Sequence, residues 1–204
     1  DTKKAISNKN LIIANSQFIA NIVLKKYKQV AKVVYPCISK KDIIINKNIK
    51  SKKITLIGGT KVKGVEILEA IAKKLPEQQF RVVKRGVKQS ITLDNIEYYP
   101  WGNSVDTIYQ ETRLLLVPSL WQEAFGRVAI EAAQYDVPVI ASNRGGLPEC
   151  VPNEHVIDDY HNIDVWVSKI KEVLHQKKPS KMPIDTFYCN NQIDVFLDIL
   201  KKYE

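Results

Sequence analysis

Leu114-Leu115-Leu116-Val117-Pro118-Ser119-Leu120-Trp121-Gln122-Glu123-Ala124-Phe125-Gly126-Arg127-Val128-Ala129-Ile130-Glu131-Ala132 is the stretch that decides the fold. Its first four residues are apolar without alternation. They read as a strand covered on both faces, closed by Pro118-Ser119. A loop then presents Glu123, and a helix is expected from Gly126 to Tyr135. The first N–H groups of a helix have no intrahelical partner, and Gly126 carries no side chain to obstruct them. Together with the helix dipole they form an anion site suited to a diphosphate. Glu131 follows about one and a half turns later. Facing the cleft, its carboxylate accepts hydrogen bonds from two neighbouring hydroxyls, as on a ribose, and Glu123 does the same for a sugar. Two carboxylates repel a phosphate, so they make sense where the ligand also carries hydroxyls. The competing reading makes Glu123 a capping acid and Glu131 a surface ion-pair partner.

Outward from this stretch, short apolar strands alternate with helices of about ten residues. Strands are expected at Leu11–Ala14, Val30–Tyr35, Ile54–Ile57, Phe80–Val83, Asn95–Tyr99 and Val137–Ala141, with a short one at Ile43–Ile45. Helices are expected at Gln17–Tyr27, capped by Asn15 or Ser16, at Val65–Leu75, Val105–Thr112, Ile163–Leu174 and Ile193–Tyr203. The pattern predicts an α/β class: a Rossmann-like, mostly parallel sheet with helices on both faces. In such sheets ligands bind beyond the C-terminal strand ends. The loops after Ile57, Val117 and Ala141 are therefore where chemistry is sought.

The 204 residues are 45% hydrophobic, enough for a sizeable core. No apolar run reaches the ~18 residues of a membrane-spanning helix. The formal net charge is +9, most of it scattered lysine. A basic chain suits nucleic acid, an anionic membrane face or phosphorylated small molecules. Nucleic acid falls last, because no basic ribbon interleaved with aromatics appears. Cys37, Cys150 and Cys189 are widely spaced and share no ligand pattern with His155, His161 or His175. No metal site is expected. The expectation is free thiols in a cytoplasmic protein, with peripheral membrane contact left open.

The Pro118–Ala132 stretch resembles family 4 of the GT-B glycosyltransferases. The family hallmark, two glutamates separated by seven residues, falls on Glu123 and Glu131. The resemblance continues through Pro138-Val139-Ile140-Ala141-Ser142 and Gly145-Gly146-Leu147-Pro148-Glu149. The family often carries an Arg-x4-Lys-Gly signature after an earlier strand, its Arg and Lys meeting the donor diphosphate. Lys63-Gly64 fits its second half, whereas Gly58 stands at the arginine position. Gly58-Gly59-Thr60 still permits close backbone approach, and Arg127 or Lys61 is a candidate to supply the missing cation. Lys84-Arg85-Gly86 departs from the glycine-rich turn the family has near the base. Trp101, in Pro100-Trp101-Gly102, either stacks on a base or packs the core, with packing favoured. Ala14-Asn15-Ser16-Gln17-Phe18 and Val33-Val34-Tyr35-Pro36 resemble the segment leading into the family's C-terminal domain, with Cys37 in place of a glycine.

The resemblance implies the donor half of a retaining transferase acting on a nucleotide diphosphate sugar, UDP- or GDP-linked, without cofactor or metal. Residues 1–50 are expected to be the tail of an N-terminal domain plus linker, and 51–204 the nucleotide-sugar domain. The acceptor-binding domain would be missing, so the isolated piece is expected to be inactive. Lys63 and Glu123 take the catalytic roles. Gly58, Gly59, Thr60, Phe125, Gly126, Arg127 and Glu131 take donor-binding ones. The alternative is a non-catalytic nucleotide-sugar-binding or regulatory module that works with a separate acceptor chain.

Overall fold

The computed structural model describes residues 10–40, 53–102, 104–176, 180 and 182–203. A seven-stranded sheet forms its centre. In chain order its strands are β3 (Lys53–Ile57), β4 (Phe80–Lys84), β5 (Ile91–Leu93), β6 (Ile96–Pro100), β7 (Thr112–Val117), β8 (Val139–Ser142) and β9 (Val156–Ile157). The spatial order is β5-β6-β4-β3-β7-β8-β9, and every neighbouring pair is parallel except the β5–β6 hairpin. The apolar run 114–117 is explained by this position. Leu114 and Leu116 face one core, with α2 (Val65–Lys74) and α5 (Ile163–His175). Leu115 and Val117 face the other, with α3 (Val105–Gln110) and α4 (Arg127–Ala133). A strand buried on both faces needs apolar side chains at every position. Each such leucine contributes roughly 1.5–3 kcal/mol of burial.

A separate two-stranded parallel sheet, β1 (Ile13–Ala14) and β2 (Lys32–Val33), is joined by α1 (Gln17–Tyr27). The Ser16 hydroxyl caps α1 by accepting from the Ile19 N–H at 3.1 Å. Glu149 adds a second cap from far along the chain. Its carboxylate accepts from the Gln17 N–H at 2.8 Å and the Phe18 N–H at 2.9 Å, and from the Tyr35 hydroxyl at 3.0 Å. An anion at a helix N-terminus is favoured by both the orphan amides and the dipole. This clasp ties β1–α1–β2 to the main sheet. Burial, followed by the Glu149 hydrogen bond, pushes the Tyr35 phenol up to about 12, so it remains a donor.

Several expectations change. The helix after Gly126 has seven residues, Arg127–Ala133, and ends in a turn where Asp136 takes φ 55°. The helix expected over 105–112 stops at Gln110, because Thr112 already pairs with Lys53 as the first residue of β7. Strands β5 and β9 were not foreseen. The expected strand at Ile43–Ile45 lies outside the described residues. The last helix, α6, begins earlier, at Cys189, and runs to Lys201.

The cysteines differ too. Cys37 and Cys189 form a disulfide, and Cys150 alone is a free thiol. A parallel bridge explains the pairing. The Ile38 N–H donates to Phe187 O at 2.9 Å and the Cys189 N–H to Ile38 O at 3.1 Å. These bonds bring the two Cα atoms to 4.7 Å, within disulfide reach. A separation of 152 residues hides that neighbourhood from the sequence.

Candidate functional site

Strands β3 and β7 are parallel neighbours, so Ile57 and Val117 end on the same edge of the sheet. Beyond Ile57 the chain turns through Gly58, at φ 94°, and Gly59. Both amides donate to Val83 O, at 2.9 and 3.1 Å. Thr60 then leads into a 3-10 turn over Lys61–Lys63 that places the Lys63 side chain over the cleft. Beyond Val117 the loop carries Glu123. Lys63 Nζ donates to Glu123 Oε1 at 2.5 Å, and the Ser119 hydroxyl donates to the same oxygen at 2.6 Å.

Two glycines hold these loops together. A Cβ on Gly64 would stand 2.0 Å from Pro118 O, and one on Gly145 would stand 2.0 Å from Glu123 O. Both have positive φ, 82° and 64°. The Gly146 N–H donates to Glu123 O at 2.8 Å. Glu123 is thus gripped by the backbone of the turn after β8.

Three neighbouring openings lie along this edge. The first, about 300 Å³, is lined by Lys63, Glu123, Phe125, Gly126 and Arg127 among others. The second, about 190 Å³, has Glu131, Tyr109 and Trp101 in its wall, and shares Ile57 and Val128 with the first. The third, about 350 Å³, is bounded by Gly58, Gly59, Thr60 and Lys63. All nine residues singled out from the sequence therefore line these three neighbouring openings.

Their roles differ in detail. Phe125 is buried, its ring 5.5 Å from Tyr35 and 5.3 Å from Phe187, so its side chain backs the cleft. Gly126 packs on Cys150, where a Cβ would meet Sγ at 3.0 Å. The short α4 carries only a small dipole, but its opening amides still lack intrahelical partners. Glu131 accepts from the Tyr109 hydroxyl at 3.1 Å through Oε2 and from Arg127 Nη2 at 3.1 Å through Oε1. Burial, then the Glu131 charge, drives the Tyr109 phenol strongly upward, so Tyr109 is a permanent donor. Arg127 is exposed, and a ligand diol can take its place at Oε1.

Trp101 is corrected by the structure. It is 47% exposed and stands in the cleft wall, with the Arg85 guanidinium 5.6 Å over its ring. Lys61 pairs with Glu66 at 3.2 Å, away from the cleft. Sequence reasoning missed Tyr109, which lies on α3 and meets Glu131 only through tertiary packing. It also missed Glu149 as the clasp on α1.

A sequence model of the family described as "Glycosyl transferases group 1" matches residues 40–186. The chain belongs to the group 1 glycosyltransferases. Among curated relatives, an uncharacterised 41.2 kDa protein of the cps region of Klebsiella pneumoniae is 32% identical over 133 residues, 57% of this chain and 35% of that protein. Among solved structures, a glycosyltransferase from Rickettsia africae superposes with a TM-score of 0.77 at 19% identity, over 96% of this chain and 64% of that one. Anabaena HepE, solved in complex with UDP and glucose, superposes with a TM-score of 0.73 at 16% identity, over 94% of this chain and 62% of that one. The chain thus spans only part of the length of each. The fold of these solved proteins is shared across nearly all of this chain, and the openings sit on the strand edge where an α/β sheet binds ligands. Among the described residues no helix is long and apolar enough to cross a membrane.

Proposed function

We propose that this chain is the donor half of a family 4, GT-B glycosyltransferase, the C-terminal domain that binds a nucleotide diphosphate sugar for retaining transfer to an acceptor held by another domain. One observation carries the reading. Lys63, Glu123 and the opening amides of α4 line one opening beyond the C-terminal ends of β3 and β7, and Glu131 lines a neighbouring one that shares Ile57 and Val128 with it. A lone phosphate would not call for two carboxylates there, whereas a ligand with phosphates between two hydroxyl-bearing rings uses all four.

In this reading the sugar hydroxyls meet Glu123, the diphosphate lies by Lys63 and the amides near Gly126, and the ribose diol meets Glu131, displacing Arg127. As the sugar–phosphate bond breaks, negative charge grows on the leaving phosphate. Lys63 and the amide donors stabilise it where it forms. No step in this reading requires a metal ion, and turnover requires the acceptor domain.

The test is a calorimetric titration of the chain with UDP- and GDP-sugars. Binding is expected for at least one, and Glu131→Ala is expected to weaken it by ~1–3 kcal/mol, the cost of losing hydrogen bonds to a charged group. Unchanged affinity in Glu131→Ala removes the ribose role. Absence of binding to every nucleotide sugar leaves a regulatory module that binds none of them as the better reading.

A further inference from the structure

Lys84 and Arg85 stand at the C-terminal end of β4, where they border the opening of about 350 Å³ with Gly58, Gly59, Lys63 and Trp101. Gly59 sets the closeness of that approach. A Cβ there would lie 2.4 Å from Val82 Cγ1 and 2.9 Å from Lys84 Cβ. Only because Gly59 has no side chain does the Lys84 stem run beside the Gly58–Thr60 turn.

The other cations lining these openings are already matched by carboxylates. Lys63 pairs with Glu123 and Arg127 with Glu131. Among the described residues neither Lys84 nor Arg85 has a carboxylate partner. Lys84 Nζ lies 5.7 Å from the Tyr98 ring and the Arg85 guanidinium 5.6 Å from the Trp101 ring. Cations that face only aromatic rings around an open pocket keep their donors free for an incoming anion. Glu123 offsets the charge of Lys63, so a diphosphate placed at Lys63 alone would remain uncompensated.

We propose that Lys84 and Arg85 form the second cationic arm for the ligand's diphosphate, reaching it from the end of β4 opposite Lys63, with Trp101 as the wall that orients the Arg85 guanidinium. This rests on the donor-site reading above. It assigns the diphosphate's charge to a different strand from the one that carries the Gly58 turn.

The experiment is calorimetry at low salt on the chain as it stands. It compares the parent protein, Lys84→Gln/Arg85→Gln and, as a charge control on an exposed helix face, Lys171→Gln. The probes are UDP, GDP and ADP, the three matching monophosphates, and inorganic pyrophosphate. Thermal unfolding confirms that each variant is folded. The expected result is a loss of about tenfold or more for the bound diphosphate and for pyrophosphate, with monophosphates and the control within about twofold. Diphosphate binding that survives the double substitution overturns the proposal and leaves the donor reading intact. Equal losses for mono- and diphosphate also overturn it, because the pair then acts at the base or ribose. Pyrophosphate binding that depends on Lys84 and Arg85, with no nucleotide bound, upholds the anion arm and removes the donor reading. No binding by any probe overturns both.

Discussion

Lys63 and Glu123, 60 positions apart in the chain, meet across the cleft with Nζ 2.5 Å from Oε1. Each residue's role depends on the other. The lysine neutralises a carboxylate that would otherwise repel a phosphate, and the carboxylate holds the lysine over the opening. Removing one partner leaves the other exposed to the ligand without compensation.

Lys63→Gln is accordingly expected to weaken nucleotide diphosphate binding by about 1.5–3 kcal/mol, the range for hydrogen bonds to charged groups. Glu123→Gln is expected to spare the bare nucleotide diphosphate and weaken the nucleotide sugar. The double substitution should cost less than the sum of the two, with a coupling of about 0.5–3 kcal/mol for groups in direct contact. Calorimetry on the four proteins reads this directly. Strict additivity would show that the ion pair has no part in ligand binding.

Gly145→Ala tests the grip on Glu123. Its new methyl would lie 2.0 Å from Glu123 O at a backbone φ of 64°, so the loop must move. Gly86 has a similar φ, 83°, but open space around its Cα. Backbone strain alone costs on the order of 1–3 kcal/mol, and Gly86→Ala should cost no more than that. Gly145→Ala should cost more and lower affinity for a nucleotide sugar, whereas Gly86→Ala should leave affinity near that of the parent. Chemical denaturation and titration of both variants decide it; equal behaviour would mean that the contact with Glu123 is unimportant.

Much of this architecture is legible in the sequence because local chemistry and tertiary context agree. Gln17–Tyr27 is bounded as expected, since Ser16 caps it locally. The 114–117 run of β7 announces itself as unbroken and apolar, while residues 54–57 of β3 and 80–83 of β4 are apolar except for the buried Thr55 and Arg81. What stayed hidden depends on distant partners. β5 is an exposed edge strand that pairs, among the described residues, with β6 alone, so Ile91-Thr92-Leu93 carries no burial pattern. β9 is two residues long. Glu149 and Tyr109 act through contacts more than twenty positions away, and the Cys37–Cys189 bond links residues 152 positions apart. Trp101 shows the converse error: a large aromatic is usually core, and here it stands in a cleft wall. Gly58 to Lys63 and Glu123 to Glu131 each form a short motif in the sequence, whereas their meeting across about 60 positions comes only from the parallel pairing of β3 and β7.

The disulfide predicts a thiol count. Air-oxidised protein, unfolded in denaturant, should show one reactive thiol, from Cys150, and three after reduction. In the folded oxidised state that thiol should resist modification near pH 8, because burial pushes it up to about 12. Reduction, or Cys37→Ser/Cys189→Ser, should lower stability. The loop-closure model sets the upper end for so long a loop at about 5 kcal/mol. Three thiols in denatured, non-reduced protein, or an unchanged unfolding midpoint after reduction, would contradict the linkage.

His155 predicts a loss of stability in mild acid. It is fully buried beneath β8, with Nδ1 2.9 Å from Val139 O. A carbonyl only accepts, so Nδ1 carries the proton, and Nε2, buried with no partner among the described residues, is left with a lone pair. Protonating Nε2 would create a buried cation whose new N–H has no acceptor. Burial accordingly lowers the pKa below the ordinary histidine value, against opposing contributions from the Val139 carbonyl and from Glu154 and Glu172, while Lys169 adds to the lowering. The folded pKa lies below the unfolded one, near 6.5. The unfolded chain therefore binds a proton first as pH falls, and stability present above about 6.5 is lost progressively below it. Unfolding midpoints at pH 7.5 and 5.5 should fall more steeply for the parent than for His155→Asn, which keeps an N–H for the Val139 carbonyl but does not titrate. Equal slopes would place the acid sensitivity in the carboxylates instead.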